Sequence, residues 1–132
     1  VLKPLHAVAG LKSLVASTYQ AVSGGGVAGV EELRSQIMAA GADCAALAQD
    51  GTALDLGQPR KWAVPIGFNV VPFNYVVADD DGNTEEELKL RDESRKILEI
   101  PELAVSATCV RVPVFTGHSL AINAAFDRPI TA

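Results

Sequence analysis

The 132 residues suffice for one domain with one core, and 48% hydrophobic with 20% charged residues is an ordinary globular composition. A formal net charge of −5 argues against a nucleic-acid partner, which would need a basic face to displace counterions. No apolar run is long enough to span a bilayer, so no membrane partner is expected either. Two cysteines, Cys44 and Cys109, and two histidines, His6 and His118, form neither a disulfide framework nor a metal-ligand cluster. A reducing cytoplasm is the expected setting, and no signal-peptide layout precedes the first apolar residues. Val1 opens in the middle of an apolar pattern and the chain stops just after a strand-like segment, so a fragment cut at both ends is expected.

Val1 to Val8 reads as the tail of a helix, with Gly10 as its stop. Leu11 to Ala21 is rich in β-formers and reads as a strand, followed by a turn from Ser23 to Gly26. Val27 to Leu47 carries apolar residues at Val30, Leu33, Ile37, Met38 and Ala40, close to helical spacing, with Gly41 as an interruption. Asp50 to Ala63 reads as a loop. The stretch "VPIGFNVVPFNYVV", Val64 to Val77, reads as buried extended chain bent at Pro65 and Pro72. "DDDGN", Asp79 to Asn83, is a polar turn. Thr84-Glu85-Glu86-Glu87 then fits a capping box opening a helix that ends near Leu98, ahead of Pro101. Ala104 to Phe115 and Leu120 to Phe126 read as strands meeting at a corner at Gly117. This order predicts an α/β (α+β) fold, a sheet with helices packed on it.

Gly24, Gly26 and Gly29 spell G-x-G-x-x-G between a strand and a helix, but the setting fails the dinucleotide fingerprint. Thr18, Tyr19, Gln20 and Ser23 are polar where a buried strand end belongs, and Asp43 falls at the end of a helix. The glycines read as a turn into a helix, or as bare backbone whose N–H groups face an anion. Arg111 shares a strand face with Val105, Ala107 and Cys109. If buried, it needs a partner: an internal carboxylate, or the carboxylate or phosphate of a ligand. His118, past Gly117, is either an exposed bystander on a corner or a general base. Glu86 and Lys89 share a helix face, as a solvated pair would. Gln20, at a strand end, either orients a ligand or caps a backbone group. Neither thiol has the electropositive surroundings of a nucleophile.

The blocks "STYQAVSG", "VPIGFNVVP", "EEELKLRDESRKIL" and "SATCVRVPVFTGHSLAIN" together resemble the C-terminal catalytic domain of bacterial aspartate-semialdehyde dehydrogenases, especially actinobacterial ones, over nearly the whole chain. The resemblance implies a domain like the C-terminal domain of glyceraldehyde-3-phosphate dehydrogenase, with a mixed, mostly antiparallel sheet, helices on one face, and a homodimer through the open face. It implies NADPH-dependent conversion of L-aspartyl-4-phosphate to aspartate 4-semialdehyde and phosphate, on the route to lysine, threonine, methionine and diaminopimelate. By motif, Gln20 would position the acyl intermediate and His118 would act as acid/base. Arg111 would clamp the substrate carboxylate, Glu86 would receive its ammonium and Lys89 its phosphate. Ser23, Gly24 and Gly25 would border the nicotinamide end of NADP, whose main site belongs to an N-terminal domain absent here. The nucleophilic cysteine of that family matches neither Cys44 nor Cys109, so the fragment alone is expected to be inactive. N-acetyl-glutamyl-phosphate reductase, whose acylated substrate has no ammonium for Glu86, and a non-catalytic dimerisation module are the alternatives.

Overall fold

A computed structural model describes residues 1–72 and 76–131. In chain order the elements are α1 (Leu2–Ala9), β1 (Leu11–Gln20), α2 (Gly26–Ala40), β2 (Val71–Pro72), α3 (Glu85–Leu98), β3 (Ala104–Arg111) and β4 (Ser119–Phe126). The fold is α/β, with a mixed four-stranded sheet in the order β2-β3-β1-β4. β2 runs antiparallel to β3, Val71 opposite Arg111 and Pro72 opposite Val110. By contact density the chain forms two compact units. The first is Val1–Thr18, Tyr75–Cys109 and Leu120–Ala132; the second is Tyr19–Asn74 and Val110–Ser119.

In the first unit, Leu11, Leu98 and Leu103 form a buried cluster on which Leu2, Ile100, Val105, Ala124 and Phe126 pack. Helix α1 ends at Gly10, whose φ of 71° is open to glycine at little cost. Its last carbonyls are not left bare. The Gly10 N–H donates to the His6 carbonyl, and the Arg128 guanidinium donates twice to the Val8 carbonyl. The His6 imidazole accepts the Leu11 N–H at 2.9 Å, so this histidine is a helix cap. The turn before α3 is closed by Asp79, which accepts from the Asn83 backbone and side chain. Those bonds hold the Asp79 carboxyl below its ordinary value of 3.8. The turn thus draws stability from the ionised form, lost as pH falls through that lowered value.

Helix α3 starts as the capping box predicts. Glu87 accepts the Thr84 N–H at 2.8 Å and its hydroxyl at 2.9 Å. The same buried carboxylate accepts the Cys109 N–H at 2.9 Å, tying α3 to β3. Residues Glu85, Glu86 and Glu87 in the first turn and Arg95 and Lys96 in the last complement the helix dipole.

The second unit departs from two expectations. Helix α2 buries Gly29, Glu32, Leu33, Gln36 and Ala40, while Ile37 and Met38 are exposed. The spacing is helical, but the inward stripe is rotated from the one the apolar residues suggest. Polar atoms can face inward here because backbone N–H groups meet them. Glu32 accepts from Arg60 at 2.9 Å and from Lys61 at 2.6 Å, and the Gln36 carbonyl accepts from Gly67 at 2.6 Å. The core of this unit is Val22, Leu33, Trp62, Ile66 and Val71. After Gly41 (φ 53°) the chain continues as a 3-10 segment, Gly41–Ala48, with no buried residue.

The stretch from Val64 to Val77 is not a buried extended segment. Ile66 and Val71 are buried, but Val64, Phe68, Val70, Val76 and Val77 are exposed. Among the described residues of the stretch, pairing is found at β2 and at an isolated antiparallel bridge between Val77 and Thr84. Residues 73–75 of that stretch lie outside the described residues. β3 stops at Arg111, short of Phe115, because Pro113 cannot donate to a ladder.

Glu87→Ala should lower the unfolding free energy, since it strips the acceptor from two buried backbone donors, at roughly 1–3 kcal/mol for each donor left bare. Urea unfolding followed by circular dichroism measures this; an unchanged midpoint contradicts the bracing role.

Candidate functional site

The segment after β3 and the segment after β1 are stitched together within the second unit. The Val22 N–H donates to the Val114 carbonyl at 2.9 Å, and the Ser23 N–H to the Phe115 carbonyl at 3.1 Å. The Val112 N–H donates to the Gln20 carbonyl at 3.0 Å. These bonds bring Arg111 and His118 to the turn formed by the 3-10 segment Val22–Gly25.

Arg111 is 3% exposed, on the same strand face as the buried Cys109, as alternation predicts. One Nη1 hydrogen donates to the Ala21 carbonyl at 2.6 Å. Its guanidinium carbon lies over the Trp62 ring, 4.9 Å from the centroid. His118 is exposed, and its Nδ1 accepts the Ala21 N–H at 3.0 Å. Nδ1 therefore needs its lone pair, and the neutral ring carries its proton on Nε2. Ala21 thus uses both backbone groups on the site, its carbonyl for the cation and its N–H for the imidazole.

Gly24 is the point these groups share. A Cβ built there would stand 3.1 Å from Arg111 Nη1 and 3.5 Å from His118 Nε2. A side chain there would crowd both groups, so glycine lets the backbone lie close beside the cation and the imidazole. Gly25 and Gly29 serve differently: a Cβ on Gly25 would strike the Trp62 ring, and one on Gly29 would lie 2.5 Å from it. The two glycines, four apart, make a flat seat for the indole. Close approach of Arg111 accounts for Gly24 and of the Trp62 ring for Gly29, whereas Gly26 has open space and is required by its φ of 73°.

Gln20 is buried at the end of β1, with its carbonyl bonded to Val112. Glu86 and Lys89 lie on α3 in the first unit, as an i,i+3 pair with Nζ and Oε2 3.7 Å apart. Cys109 is buried and Cys44 sits on the 3-10 segment after α2. Among the described residues no group of His, Cys, Asp and Glu could hold a metal ion. A cavity of about 510 Å³, lined by Leu47, Leu54, Leu56, Pro65 and Phe68 among others, includes neither Arg111 nor His118. Trp62, Glu32 and Gln36 are the participants that sequence reasoning missed. Only Gly25 and Gly29 at helical spacing, a seat for a flat ring, carried a signal for the first of them.

This α/β domain sets a buried arginine and an exposed imidazole beside bare glycine backbone. Residues 2–132 match the family model described as semialdehyde dehydrogenase, dimerisation domain, and the chain belongs to that family. An aspartate-semialdehyde dehydrogenase of Streptomyces akiyoshiensis is 59% identical over 133 residues, matching 100% of this chain and 39% of its own length. The chain therefore spans well under half of that relative. The crystal structure of aspartate semialdehyde dehydrogenase II from Vibrio cholerae complexed with ASA superposes with a TM-score of 0.81. It is 35% identical, over 98% of this chain and 35% of that one. The Candida albicans aspartate semialdehyde dehydrogenase with NADP gives a TM-score of 0.56 at 28% identity, over 99% of this chain and 28% of that one.

Gly24→Ala puts a methyl group into the space beside Arg111 and His118. Gly24 is absent from the positive-φ glycines, so the backbone tolerates alanine. The variant should keep wild-type thermal stability within about 1 kcal/mol. In the intact protein that carries this sequence it should lose at least roughly 10-fold in kcat/KM, about 1.4 kcal/mol of transition-state binding. Full activity would mean that the space is not used.

Proposed function

We propose that this chain is the substrate-binding and dimerisation part of an aspartate-semialdehyde dehydrogenase, which reduces L-aspartyl-4-phosphate with NADPH to aspartate 4-semialdehyde and phosphate. The observation that carries the reading is the convergence of Arg111 Nη1 and His118 Nε2 on the bare Cα of Gly24. A planar guanidinium held over an aromatic face suits the α-carboxylate of an amino acid, which it can grip with paired N–H donors. His118, with its proton on Nε2, presents a donor to a thiolate or to an oxygen gaining charge in the acyl-transfer step. Gln20 orients the acyl intermediate, Glu86 receives the substrate ammonium and Lys89 the phosphate. Glu86 and Lys89 pair with each other in the absence of ligand, which leaves neither charge bare.

NADPH supplies the hydride when bound, its main site lying in sequence beyond this domain. In this reading the Ser23–Gly25 turn borders the edge of such a cofactor at Gly24, where bare backbone lies close to Arg111 and His118, whereas Gly25 faces Trp62. The reading requires a cysteine nucleophile that neither Cys44 nor Cys109 supplies, so the activity belongs to the whole enzyme and not to this piece. The outward rows of the sheet, Val15 on β1, Ala104, Ser106 and Thr108 on β3, and Ala121 and Ala125 on β4, are exposed. Small and β-branched residues there suit close packing against a second copy, which supports a homodimer. An anabolic enzyme of this kind works in the cytoplasm, and no described helix is long and apolar enough to cross a membrane.

In the intact enzyme, Arg111→Ala should raise KM for aspartyl phosphate by roughly 10–100-fold, the worth of hydrogen bonds to a charged group. Steady-state kinetics decide the matter, and an unchanged KM removes the clamp. His118→Ala should lower kcat by roughly 10²–10⁴ with little change in KM. Normal turnover in that variant would refute its catalytic role.

A further inference from the structure

We infer that Trp62 is a positioning residue for substrate recognition, holding the Arg111 guanidinium over its ring face. The inference rests on the reading of Arg111 as the carboxylate clamp and goes beyond it by naming what holds the clamp.

Trp62 lies in a segment with no regular secondary structure, yet it is only 6% exposed. Two carboxylate bonds fix its position. Glu32, buried on α2, accepts the N–H groups of Arg60 and Lys61, the two residues immediately before the tryptophan. One turn further along α2, the Gln36 side chain donates to Glu32 at 3.4 Å and accepts from Gly67 at 2.6 Å, so the segment is gripped on both sides of Trp62. Gly67 has no room for a side chain against Gln36, where a Cβ would come within 2.9 Å of the Gln36 Cβ. From below, the ring is seated on Gly25 and Gly29.

Burial alone does not explain an indole here. Its Nε1 is buried with no hydrogen-bond partner among the described residues, which a phenylalanine or leucine in the same core would avoid. What the indole adds over those residues is a wide electron-rich face, and the Arg111 guanidinium carbon lies over that face at 4.9 Å. The attraction of a cation to a ring face is electrostatic and does not require its N–H groups as hydrogen-bond donors to an oxygen. Trp62 thus restrains the cation without an oxygen acceptor of its own. The Ala21 carbonyl, 2.6 Å from Nη1, is a second anchor on the same group.

The test uses the intact dehydrogenase carrying this sequence, with Trp62→Phe, Trp62→Leu, Arg111→Ala and the Trp62→Leu/Arg111→Ala double variant. KM for aspartate semialdehyde should rise roughly threefold with Phe and tenfold with Leu, following the strength of the ring face. KM for NADP and for phosphate should stay at the wild-type values. In the Arg111→Ala background the Leu substitution should have no further effect on KM, since the cation it positions is gone. If Arg111→Ala leaves KM unchanged, the clamp reading fails, and this inference with it. If Arg111→Ala is impaired but the Trp62 variants are not, or if Trp62→Leu impairs both backgrounds equally, the clamp stands and the positioning role is overturned. Should Trp62→Leu fail to fold, Trp62→Phe decides alone: an unchanged KM overturns the inference.

Discussion

The second unit is organised around a buried positive charge. Arg111 stands at the end of β3 with 3% of its surface exposed, and a guanidinium in that position must be met by negative charge density. Among the groups that meet it are a backbone carbonyl at Ala21 and the face of Trp62. A carbonyl dipole and a ring quadrupole both attract a cation without cancelling its charge.

That arrangement constrains the residues around it. Trp62 can lie under Arg111 only if the helix beneath has no side chains at Gly25 and Gly29. The segment carrying Trp62 has no ladder of its own, so α2 supplies acceptors through Glu32 and Gln36. This is why polar residues occupy the inward stripe of α2 where apolar ones were expected. Each accepts from backbone N–H groups of that segment, which offsets the cost of burying a polar side chain. The same accounting holds in the first unit, where one Glu87 carboxylate serves the start of α3 and the amide of Cys109.

His118 depends on the turn in another way. It is exposed, yet its ring is not free to choose a tautomer, because the Ala21 N–H occupies Nδ1. The proton on Nε2 then points to the side on which Gly24 lacks a Cβ. One alanine between β1 and the glycine turn thus bonds both the Arg111 and the His118 side chains through its backbone, and its own side chain is 0% exposed core.

Local signals settled much of this protein before any coordinates. The capping box at Thr84, the stop at Gly10 and the alternation that put Arg111 on the Cys109 face are short-range effects of sterics and hydrogen bonding, legible over a few residues. The family likeness was legible for the same reason, in short motifs of distinctive chemistry. Tertiary structure alone decided which face of α2 turns inward, what Trp62 does and why Gly25 and Gly29 lack side chains. Those outcomes hang on contacts between residues some 30 to 90 positions apart, such as Glu32 with Lys61 and Ala21 with Arg111. A buried carboxylate looks like a surface one in sequence, because what makes its burial tolerable is a backbone N–H from a segment that shares no pattern with it.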